Sequence, residues 1–374
     1  MSKKINNTPR LRFPEFTGEW VEKKLGELLT YEQPTPYLVT NTNYKKSGIP
    51  VLTAGKTFIL GYTDETHGVY DNLPVIIFDD FVTESKFVDF PFKVKSSAMK
   101  MLKLLDENNN LHLIYELMQL LQYPVKEHKR YWISEYSRLT IPLPPSPAEQ
   151  QKIASCLSAM DDLIAAQAEK VEALKEKKTG MMQQLFPQHG ETTPRLRFPE
   201  FTGEWEEKTL EEVCQPITPL LKIQSRDYLS AGKFPIVDQS QSLICGWTNE
   251  DTGLMQQPPY IIFGDHTCVL KYVNFPFVQG ADGVKILSPK KGYMPQFIYQ
   301  TFVSNPLKQD GYKRHYTDFK EKLFFFPPTP AEQKKIADCL SELDTLIAAE
   351  TAQLESLKDH KKGLMQQLFP QPAK

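Results

Sequence analysis

Two short segments of this sequence combine basic and aromatic residues in a way that suits contact with a nucleic acid. They are KEHKRYW, from Lys126 to Trp132, and GYKRHY, from Gly311 to Tyr316. Lysine and arginine contact phosphate oxygens, and arginine also pairs with base edges in the major groove. The alternative interpretation of each segment is a solvated loop around a buried Tyr or Trp. The candidate DNA contacts are Lys129, Arg130, Tyr131, Lys313, Arg314, His315 and Tyr316, with Lys86 and Lys271 as weaker candidates.

Two other groups of residues could do chemistry, and both are incomplete. QPPY, at Gln257 to Tyr260, is similar to the Asp/Asn-Pro-Pro-Tyr loop of amino-methyltransferases, but no glycine-rich loop for a methyl donor accompanies it. Cys245, His266 and Cys268 offer three zinc ligands, whereas a structural zinc site has four. We therefore predict neither a catalytic residue nor a bound metal in this chain.

The elements that would position these residues are organised as an internal repeat. TPRLRFPEFTGEW occurs at Thr8 to Trp20 and again, unchanged, at Thr193 to Trp205. Further on, PAEQQKIASCLSAMDDLIAA from Pro147 matches PAEQKKIADCLSELDTLIAA from Pro330. The chain therefore consists of two copies of one unit, and the parts between the repeated segments are less alike.

The repeat argues against both incomplete sites. The first copy has Asn72 to Val75 in place of QPPY, and it has Leu60, Phe81 and Thr83 in place of the possible zinc ligands. A metal that the fold required would have ligands in both copies.

Each copy ends in a long amphipathic segment whose apolar residues recur at alternating steps of three and four, as in the seam of a coiled coil. Ser146 and Thr329 are candidate N-caps, and Pro187 and Pro370 follow the predicted ends. About 35 helical residues would form a rod of roughly 50 Å. An ordinary helix packed on its own domain is the alternative. The predicted seam residues are Ile153, Leu157, Met160, Ile164, Leu174, Ile336, Leu340, Leu343, Ile347 and Leu357.

The predicted fold class is α+β, with two globular domains separated by a long antiparallel two-helix coiled coil and related by a pseudo-twofold repeat. The predicted domains are residues 1–146, 147–187, 188–329 and 330–370, alternately globular and helical. We expect the repeated segment TPRLRFPEFTGEW to join each globular domain to the helices. Because the parts between the repeated segments differ, we expect the two globular domains to recognise different targets.

Composition excludes some classes of protein. Hydrophobic residues make up 40% of the 374 residues, and no apolar run is long enough to span a membrane, so a cytoplasmic protein is expected. The five cysteines lack CxxC spacing, which favours reduced thiols. The formal net charge of -2 does not by itself indicate a nucleic-acid-binding protein.

The two helical segments, from Pro144 to Gln188 and from Pro327 to Gln371, resemble the repeated helical regions of the specificity subunit of type I restriction-modification enzymes. KYVNFPFVQGADGVKIL, from Lys271 to Leu287, also resembles part of a target-recognition domain of this family. The resemblance implies that globular domains 1–146 and 188–329 each bind one half of a bipartite, asymmetric site in double-stranded DNA.

The resemblance also implies partners. Two modification subunits would bind S-adenosylmethionine and methylate adenine N6, and restriction subunits would use ATP and Mg²⁺ to translocate and cut DNA. The chain itself would be a noncatalytic part of that deoxyribonuclease and methyltransferase complex, with no cofactor of its own. The helices would dock the modification subunits, and partner subunits would supply much of the phosphate contact. A methylation-only complex and a coiled-coil scaffold for proteins are the alternatives.

Overall fold

The structure, a computed structural model, describes residues 8–55, 57–121, 123–125, 129–188, 190–281, 283–311 and 313–370. The chain forms two compact units. Unit 1 comprises Met1–Gln167 and Gln353–Lys374, and unit 2 comprises Ala168–Ala352. Each unit therefore contains one globular α+β region and one stretch from each of the two long helices. The boundaries between globular and helical domains that we expect from the sequence stay predictions.

Unit 1 and the helix that leaves it contain nine strands and three α-helices in the described residues. They are β1 (Val21–Lys24), α1 (Leu25–Leu28), β2 (Leu29–Glu32), β3 (Ile49–Leu52), β4 (Ile59–Thr63), β5 (Val75–Asp79), β6 (Ser85–Val88), β7 (Lys93–Val94), β8 (Met99–Leu104), α2 (Leu111–Gln119), β9 (Thr140–Leu143) and α3 (Pro147–Leu185).

The remaining elements follow nearly the same order, with one additional strand and one additional short helix. They are β10 (Glu206–Thr209), α4 (Leu210–Val213), β11 (Cys214–Ile217), β12 (Phe234–Val237), β13 (Gly246–Thr248), β14 (Leu254–Met255), β15 (Tyr260–Gly264), β16 (Leu270–Val273), β17 (Phe277–Gln279), β18 (Val284–Pro289), α5 (Pro295–Ser304), α6 (Tyr316–Glu321), β19 (Leu323–Phe326) and α7 (Pro330–Leu368).

The sheets show that the repeat extends to topology. An antiparallel sheet of order β2-β8-β5-β6 in unit 1 corresponds to β11-β18-β15-β16 in unit 2. A second sheet, β4-β3-β7, corresponds to β13-β12-β17-β14, and each contains one parallel pair. Each unit also has a two-stranded antiparallel sheet, β1-β9 in unit 1 and β10-β19 in unit 2. The second strand of each sheet comes directly before a long helix in the chain. The expected α+β class is confirmed.

The central strand β5 shows why the sequence forms this sheet. All four residues from Val75 to Phe78 are fully buried. Ile76 and Phe78 belong to the core cluster that includes α2, whereas Val75 and Ile77 belong to a second cluster on the other side of the strand. A run of β-branched and aromatic residues without a polar alternation is the pattern of a strand that is covered on both faces.

The two long helices are confirmed, and each has 39 residues. Each begins at a proline, which fits the first helical turn because its missing N–H has no partner there. In unit 1, Ile153 and Leu157 pack in one cluster with Leu368 and Phe369, and Asp161 pairs with Lys361. Residue numbers rise along one helix as they fall along the other, so the two stretches within this unit are antiparallel.

Unit 2 has the same arrangement. Leu185 packs with Ile336 and Leu340, and Lys178 pairs with Asp344. The predicted seam residues are buried or half-buried in both helices: Ile153, Leu157, Met160, Ile164, Leu174, Ile336, Leu340, Leu343, Ile347 and Leu357. No helix in the described part of the chain has the length and apolar character needed to cross a membrane.

The repeated segment TPRLRFPEFTGEW joins the domain to both helix ends in unit 1. Arg12 donates from Nε and Nη2 to the two carboxylate oxygens of Glu149, at 2.7 and 2.8 Å, in the first turn of α3. Trp20 donates to Glu149 as well, at 3.3 Å. The Leu11 N–H donates to the carbonyl oxygen of Gln367, 3.0 Å away, in the last turn of α7.

The second copy makes the same contacts in unit 2. Arg197 forms a bidentate pair with Glu332 at 2.8 Å for both hydrogen bonds, and Trp205 donates to the same carboxylate. The Leu196 N–H donates to the carbonyl oxygen of Gln184 at 2.9 Å. The expectation that this segment joins domain and helices is confirmed in both units.

Candidate nucleic-acid interface

The predicted basic residues of unit 1 lie beside the hairpin that connects β5 and β6. We call residues 129–132 basic segment 1 and residues 81–84 tip 1. Asp80 lies immediately before the tip and is 2% exposed. Its carbonyl oxygen accepts a hydrogen bond from the Tyr131 N–H at 2.8 Å, and its Oδ1 accepts one from the Trp132 N–H at 2.7 Å. The aspartate therefore fixes basic segment 1 beside tip 1.

Unit 2 repeats this arrangement at the hairpin between β15 and β16. We call residues 313–316 basic segment 2 and residues 266–269 tip 2. The carbonyl oxygen of Asp265 accepts from the His315 N–H at 2.8 Å, and Oδ1 accepts from the Tyr316 N–H at 2.8 Å. Asp265 is 3% exposed. Asp80 and Asp265, which we call the anchor aspartates, occupy equivalent positions in the repeat.

The two anchor aspartates differ in their charged surroundings. The Lys100 ammonium lies 3.2 Å from Asp80 Oδ2, and both side chains are 3% exposed. The same ammonium lies 4.3 Å from the centroid of the Tyr31 ring. Its equivalent in unit 2, Lys285, lies 4.9 Å from the centroid of the Tyr316 ring. A lysine therefore contacts each anchor region. In unit 1 it forms an ion pair with the anchor aspartate, and in unit 2 it forms a cation–π contact with Tyr316 of basic segment 2.

The lysines of the basic segments have acidic neighbours. Lys129 Nζ lies 2.7 Å from Glu135 Oε1, and this hydrogen bond lowers the pKa of Glu135. Lys313 Nζ lies 3.3 Å from Asp318, whose hydrogen bond raises the pKa of Lys313. A phosphate contact would therefore compete with these carboxylates.

The arginines of the two segments are more accessible. Arg130 and Arg314 are both exposed, and no ion pair with either is present among the residues that the structure describes. They are the predicted residues best placed to meet a phosphate or a base edge.

Three of the predicted DNA contacts lie in the interior, which corrects the expectation from sequence. Tyr131 and His315 are each 1% exposed and Lys271 is 5% exposed. Tyr131 packs against the Tyr123 ring, and Lys271 Nζ donates to the carbonyl oxygen of Asp238 at 2.7 Å. Side chains buried to this extent are not placed to meet DNA.

The other predicted contacts are less buried. Lys86 is half-buried on β6, two residues after tip 1, and Tyr316 is half-buried beside Phe263. Lys129, Arg130, Lys313 and Arg314 stay predictions as DNA contacts. Residues 126–128 and Tyr312, which belong to the sequence segments discussed above, lie outside the described residues.

The anchor aspartates are absent from the predicted contacts, although the sequence carries a signal for them. Asp80 and Asp265 follow matching apolar strands, in VIIFDD and YIIFGD, at the same offset as the repeated segment. A carboxylate kept at the buried end of an equivalent strand in two diverged copies indicates a structural partner. The partner could not be found from sequence, because it lies about 50 residues away along the chain.

One group of side chains has the donor atoms of a metal site. His112, Glu116 and Asp161 bring their ligand atoms within 4.8 Å of one another in unit 1. The Lys361 ammonium lies 2.8 Å from Glu116 and 2.6 Å from Asp161, among those same atoms. The carboxylates are therefore compensated by a lysine, and the group is an ion-pair network.

Comparison with known proteins agrees with this architecture. A family model for the type I restriction modification DNA specificity domain matches residues 17–176 and again residues 202–359. The specificity subunit of the type I restriction enzyme EcoR124I/EcoR124II of Escherichia coli is 33% identical over 370 residues, covering 88% of this chain and 87% of that subunit. The MjaVIII specificity subunit of Methanocaldococcus jannaschii is 23% identical over 419 residues, covering 96% and 93%.

A solved structure shares the fold. The crystal structure of the type I restriction-modification S subunit from M. genitalium matches with a TM-score of 0.67 at 17% identity, covering 98% of this chain and 100% of that one.

Proposed function

The chain belongs to the family of type I restriction-modification DNA specificity subunits, and from this premise we propose that it recognises a bipartite, asymmetric site in double-stranded DNA. The globular domain of each unit would contact one half of the site. The observation that carries the proposal is the repeated arrangement of hairpin, anchor aspartate and basic segment, with different side chains in the two copies.

The pattern of identity and difference supports two distinct half-sites. The segment that holds each domain to its helix ends is identical in both copies, down to the arginine that pairs with Glu149 or Glu332. The candidate interface residues are not identical: basic segment 1 is KRYW and basic segment 2 is KRHY. Two identical domains would bind a symmetric site, whereas two different domains attached in the same way would bind an asymmetric one.

The charge of the chain supports a role for partner subunits in DNA binding. The formal net charge is -2, and the lysines of both basic segments already face carboxylates. Phosphate binding draws mainly on unpaired basic side chains. We therefore propose that two modification subunits contribute much of the phosphate contact. These subunits would bind S-adenosylmethionine and methylate adenine N6.

The remaining partners follow from the same proposal. Restriction subunits would cut DNA with ATP and Mg²⁺, so the catalytic groups would belong to other chains of a cytoplasmic complex. The surfaces of α3 and α7 outside their seam would dock the modification subunits. Their flanking positions are mostly exposed in both units, which leaves these surfaces accessible to another subunit.

A domain exchange tests the proposal. Residues 21–146 are replaced by the matching part of a related specificity subunit, and the methylated sites are mapped in cells that express the modification subunits. We expect one half-site to change and the other to stay the same. Unchanged preference at both half-sites, or the absence of any site-specific methylation with the original chain, would contradict the proposal. The reciprocal exchange of residues 206–329 is the matched control and should change the other half-site.

A second experiment tests whether the helices set the gap between half-sites. One heptad is inserted after Gln167 and another after Glu350, which are half-buried polar seam positions at equivalent places in the repeat. A heptad preserves the seam pattern, so the helices should still pair. We expect the gap of unspecified bases to lengthen. A variant with the same seven residues substituted at constant length should retain the original gap, and an unchanged gap after insertion would show that the helices do not set it.

A further inference from the structure

The two hairpin tips have the same backbone structure. In tip 1 the Thr83 N–H donates to the carbonyl oxygen of Asp79 at 2.9 Å, and in tip 2 the Cys268 N–H donates to that of Gly264 at 2.8 Å. Thr83 and Cys268 both have positive φ angles, of 59° and 54°. This conformation is uncommon for a residue other than glycine. Its presence at equivalent positions shows that each domain holds its tip in one defined shape.

The side chains on this shared backbone differ at every position. Tip 1 reads Phe-Val-Thr-Glu and tip 2 reads His-Thr-Cys-Val. All eight residues are exposed or half-buried, and Val82 is 49% exposed. Elements that maintain the fold are alike in the two copies, as the anchor aspartates are. A defined backbone that presents different accessible side chains therefore suggests selection for contact with different targets.

Each tip is attached to its basic segment. The anchor aspartates accept two backbone hydrogen bonds apiece from the basic segments, as described above. Tip 2 has one more connection to its basic segment, because His266 Nδ1 lies 3.1 Å from the carbonyl oxygen of Lys313. Gln309, which precedes that segment, also donates to the His266 carbonyl oxygen at 3.0 Å. A tip and its basic segment consequently form one surface.

We propose that tips 81–84 and 266–269 determine the base preference of the two half-sites, and that Asp80 and Asp265 are positioning residues that hold a phosphate-contacting segment beside each tip. This inference rests on the proposed function. Phosphate contacts fix the register of a protein on DNA, and contacts to base edges supply sequence preference. The anchor aspartates join the two kinds of contact, so the basic segment places the tip over a defined base step.

An exchange of tip residues tests the first part. The full chain, in complex with its modification subunits, carries Phe81→His, Val82→Thr and Glu84→Val, while Thr83 stays in place because its backbone is left-handed. We expect altered base preference in half-site 1 and unchanged preference in half-site 2. The reverse exchange in tip 2, His266→Phe with Thr267→Val and Val269→Glu, should change only half-site 2.

A milder variant keeps the test decisive if the exchanged tip folds poorly. The double change Val82→Ala and Glu84→Ala removes side chains that are exposed, so the fold should tolerate it. We expect discrimination between the preferred base and the others at one position of half-site 1 to fall about tenfold, as for removal of one good base contact. Glu107→Ala, an exposed change in the turn between β8 and α2, is the control and should have no effect.

The outcomes separate the inference from the function on which it rests. If the unaltered chain directs methylation to a bipartite site but the tip variants keep all base preferences, the tips are not the determinants and the inference fails. If the unaltered chain directs no site-specific methylation, the proposed function itself fails.

The second part is tested at Asp265 with a conservative variant. Asp265→Asn keeps an oxygen that can accept the Tyr316 N–H, whereas Asp265→Ala removes it. We expect Asp265→Ala to weaken binding to DNA about tenfold when half-site 2 is intact and to have no effect on base preference in half-site 1. Asp265→Asn should restore most of the binding. Equal defects in both variants, or equal losses of preference at both half-sites, would indicate a merely structural role and overturn this part.

Discussion

Two junctions hold equivalent places in the repeat but differ in charge. One lies between α2 and the long helices in unit 1, and the other lies between α5 and the long helices in unit 2. In unit 1, Lys361 contacts both Asp161 and Glu116, and Glu116 is 1% exposed. His112 lies 3.6 Å from Glu116 and 3.7 Å from Asp161. A buried carboxylate, a half-buried carboxylate, a lysine and a histidine thus meet at one place.

Unit 2 keeps the ion pair between the helices and replaces the rest by neutral groups. Lys178 pairs with Asp344, and Gln300 stands in place of Glu116. Gln300 donates to the carbonyl oxygen of Ala337 at 3.3 Å, and Gln296, in place of His112, donates to Ser341. The pair between the helices is thus common to both units, whereas the buried carboxylate is an addition of unit 1.

The differences between the two junctions show which interactions both copies of the repeat share. Taking a carboxylate out of water costs several kcal/mol unless an opposite charge lies close by. Unit 1 offsets part of that cost with Lys361, and unit 2 avoids it with an amide. By contrast, the Arg12–Glu149 pair and its twin Arg197–Glu332 are alike in residue, distance and burial. We infer that attachment of the domain to the helix start is fixed in both copies, and that the α2 and α5 junctions are free to vary.

The largest expected effect comes from the shared pair. Arg12→Ala should destabilise unit 1, and Arg197→Ala should destabilise unit 2, by about 3–5 kcal/mol each, because each leaves a carboxylate that is 1% exposed without its partner. Amide hydrogen exchange in the first turns of α3 and α7 measures the two effects separately. Arg195→Ala, which removes an exposed guanidinium paired with Glu191, is the control and should change little. Clearly unequal effects would show that the two attachments are not equivalent.

The next effect separates the two junctions. Lys361→Met leaves Glu116 buried without its lysine, so we expect a loss of about 2–4 kcal/mol in unit 1. Lys178→Met leaves only Asp344, whose side chain is 46% exposed, so we expect about 1 kcal/mol or less in unit 2. Hydrogen exchange of α2 and α5 provides the comparison. Similar losses of stability in the two units would mean that Glu116 does not depend on Lys361.

The sequence predicted the parts of this structure that follow from regular spacing. Steps of three and four along Ile153, Leu157, Met160 and Ile164 locate one seam, and the repeat itself locates its twin. The network at Lys361 could not be predicted in this way, since Glu116 and Lys361 are 245 positions apart in sequence. Tertiary folding alone brings such residues together.

The candidate interface was predicted less well than the fold. The pattern of basic and aromatic residues located the correct segments, but it could not separate the exposed Arg130 from the buried Tyr131, which is its neighbour. That difference depends on which backbone N–H groups donate to Asp80, the anchor aspartate, which is 52 positions from Trp132 in sequence. In a loop, successive side chains have no fixed alternation, so sequence spacing does not predict which of them is buried.

A smaller effect concerns DNA binding by the two basic segments. The double change of Lys129 and Arg130 to Ala, or of Lys313 and Arg314 to Ala, should weaken binding by the assembled complex. If these residues bind phosphate, the slope of log K against log salt should fall by about one for each phosphate that the variant no longer binds, with base preference unchanged. Lys23→Ala, an exposed change on β1, is the control. Equal binding by either double variant would remove its residues from the candidate interface, and weaker binding by only one would show that the two units contribute unequally.

The smallest effect is the pH dependence of the carboxylate that only unit 1 has. Burial raises the pKa of Glu116 above its usual value near 4.5, although Lys361 opposes the shift. A carboxyl with a raised folded-state pKa contributes its full stability below the unfolded-state pKa, and that contribution is lost as pH rises through the folded-state pKa. Glu116→Gln has no proton to lose. The stability of the variant relative to the natural chain should therefore increase as the pH rises from about 4 to about 7.5.

Urea unfolding of unit 1, followed by hydrogen exchange at α2, measures this difference at the two pH values. Gln300→Glu makes the reciprocal change in unit 2, where the amide is 2% exposed. Because Lys178 pairs with Asp344 there and the new carboxylate would be buried, this variant should lose stability as pH rises. If the stability of both variants relative to the natural chain did not depend on pH, the Glu116 carboxylate would be as well stabilised as it is in water. The contrast between the two junctions would then lie in packing and not in charge.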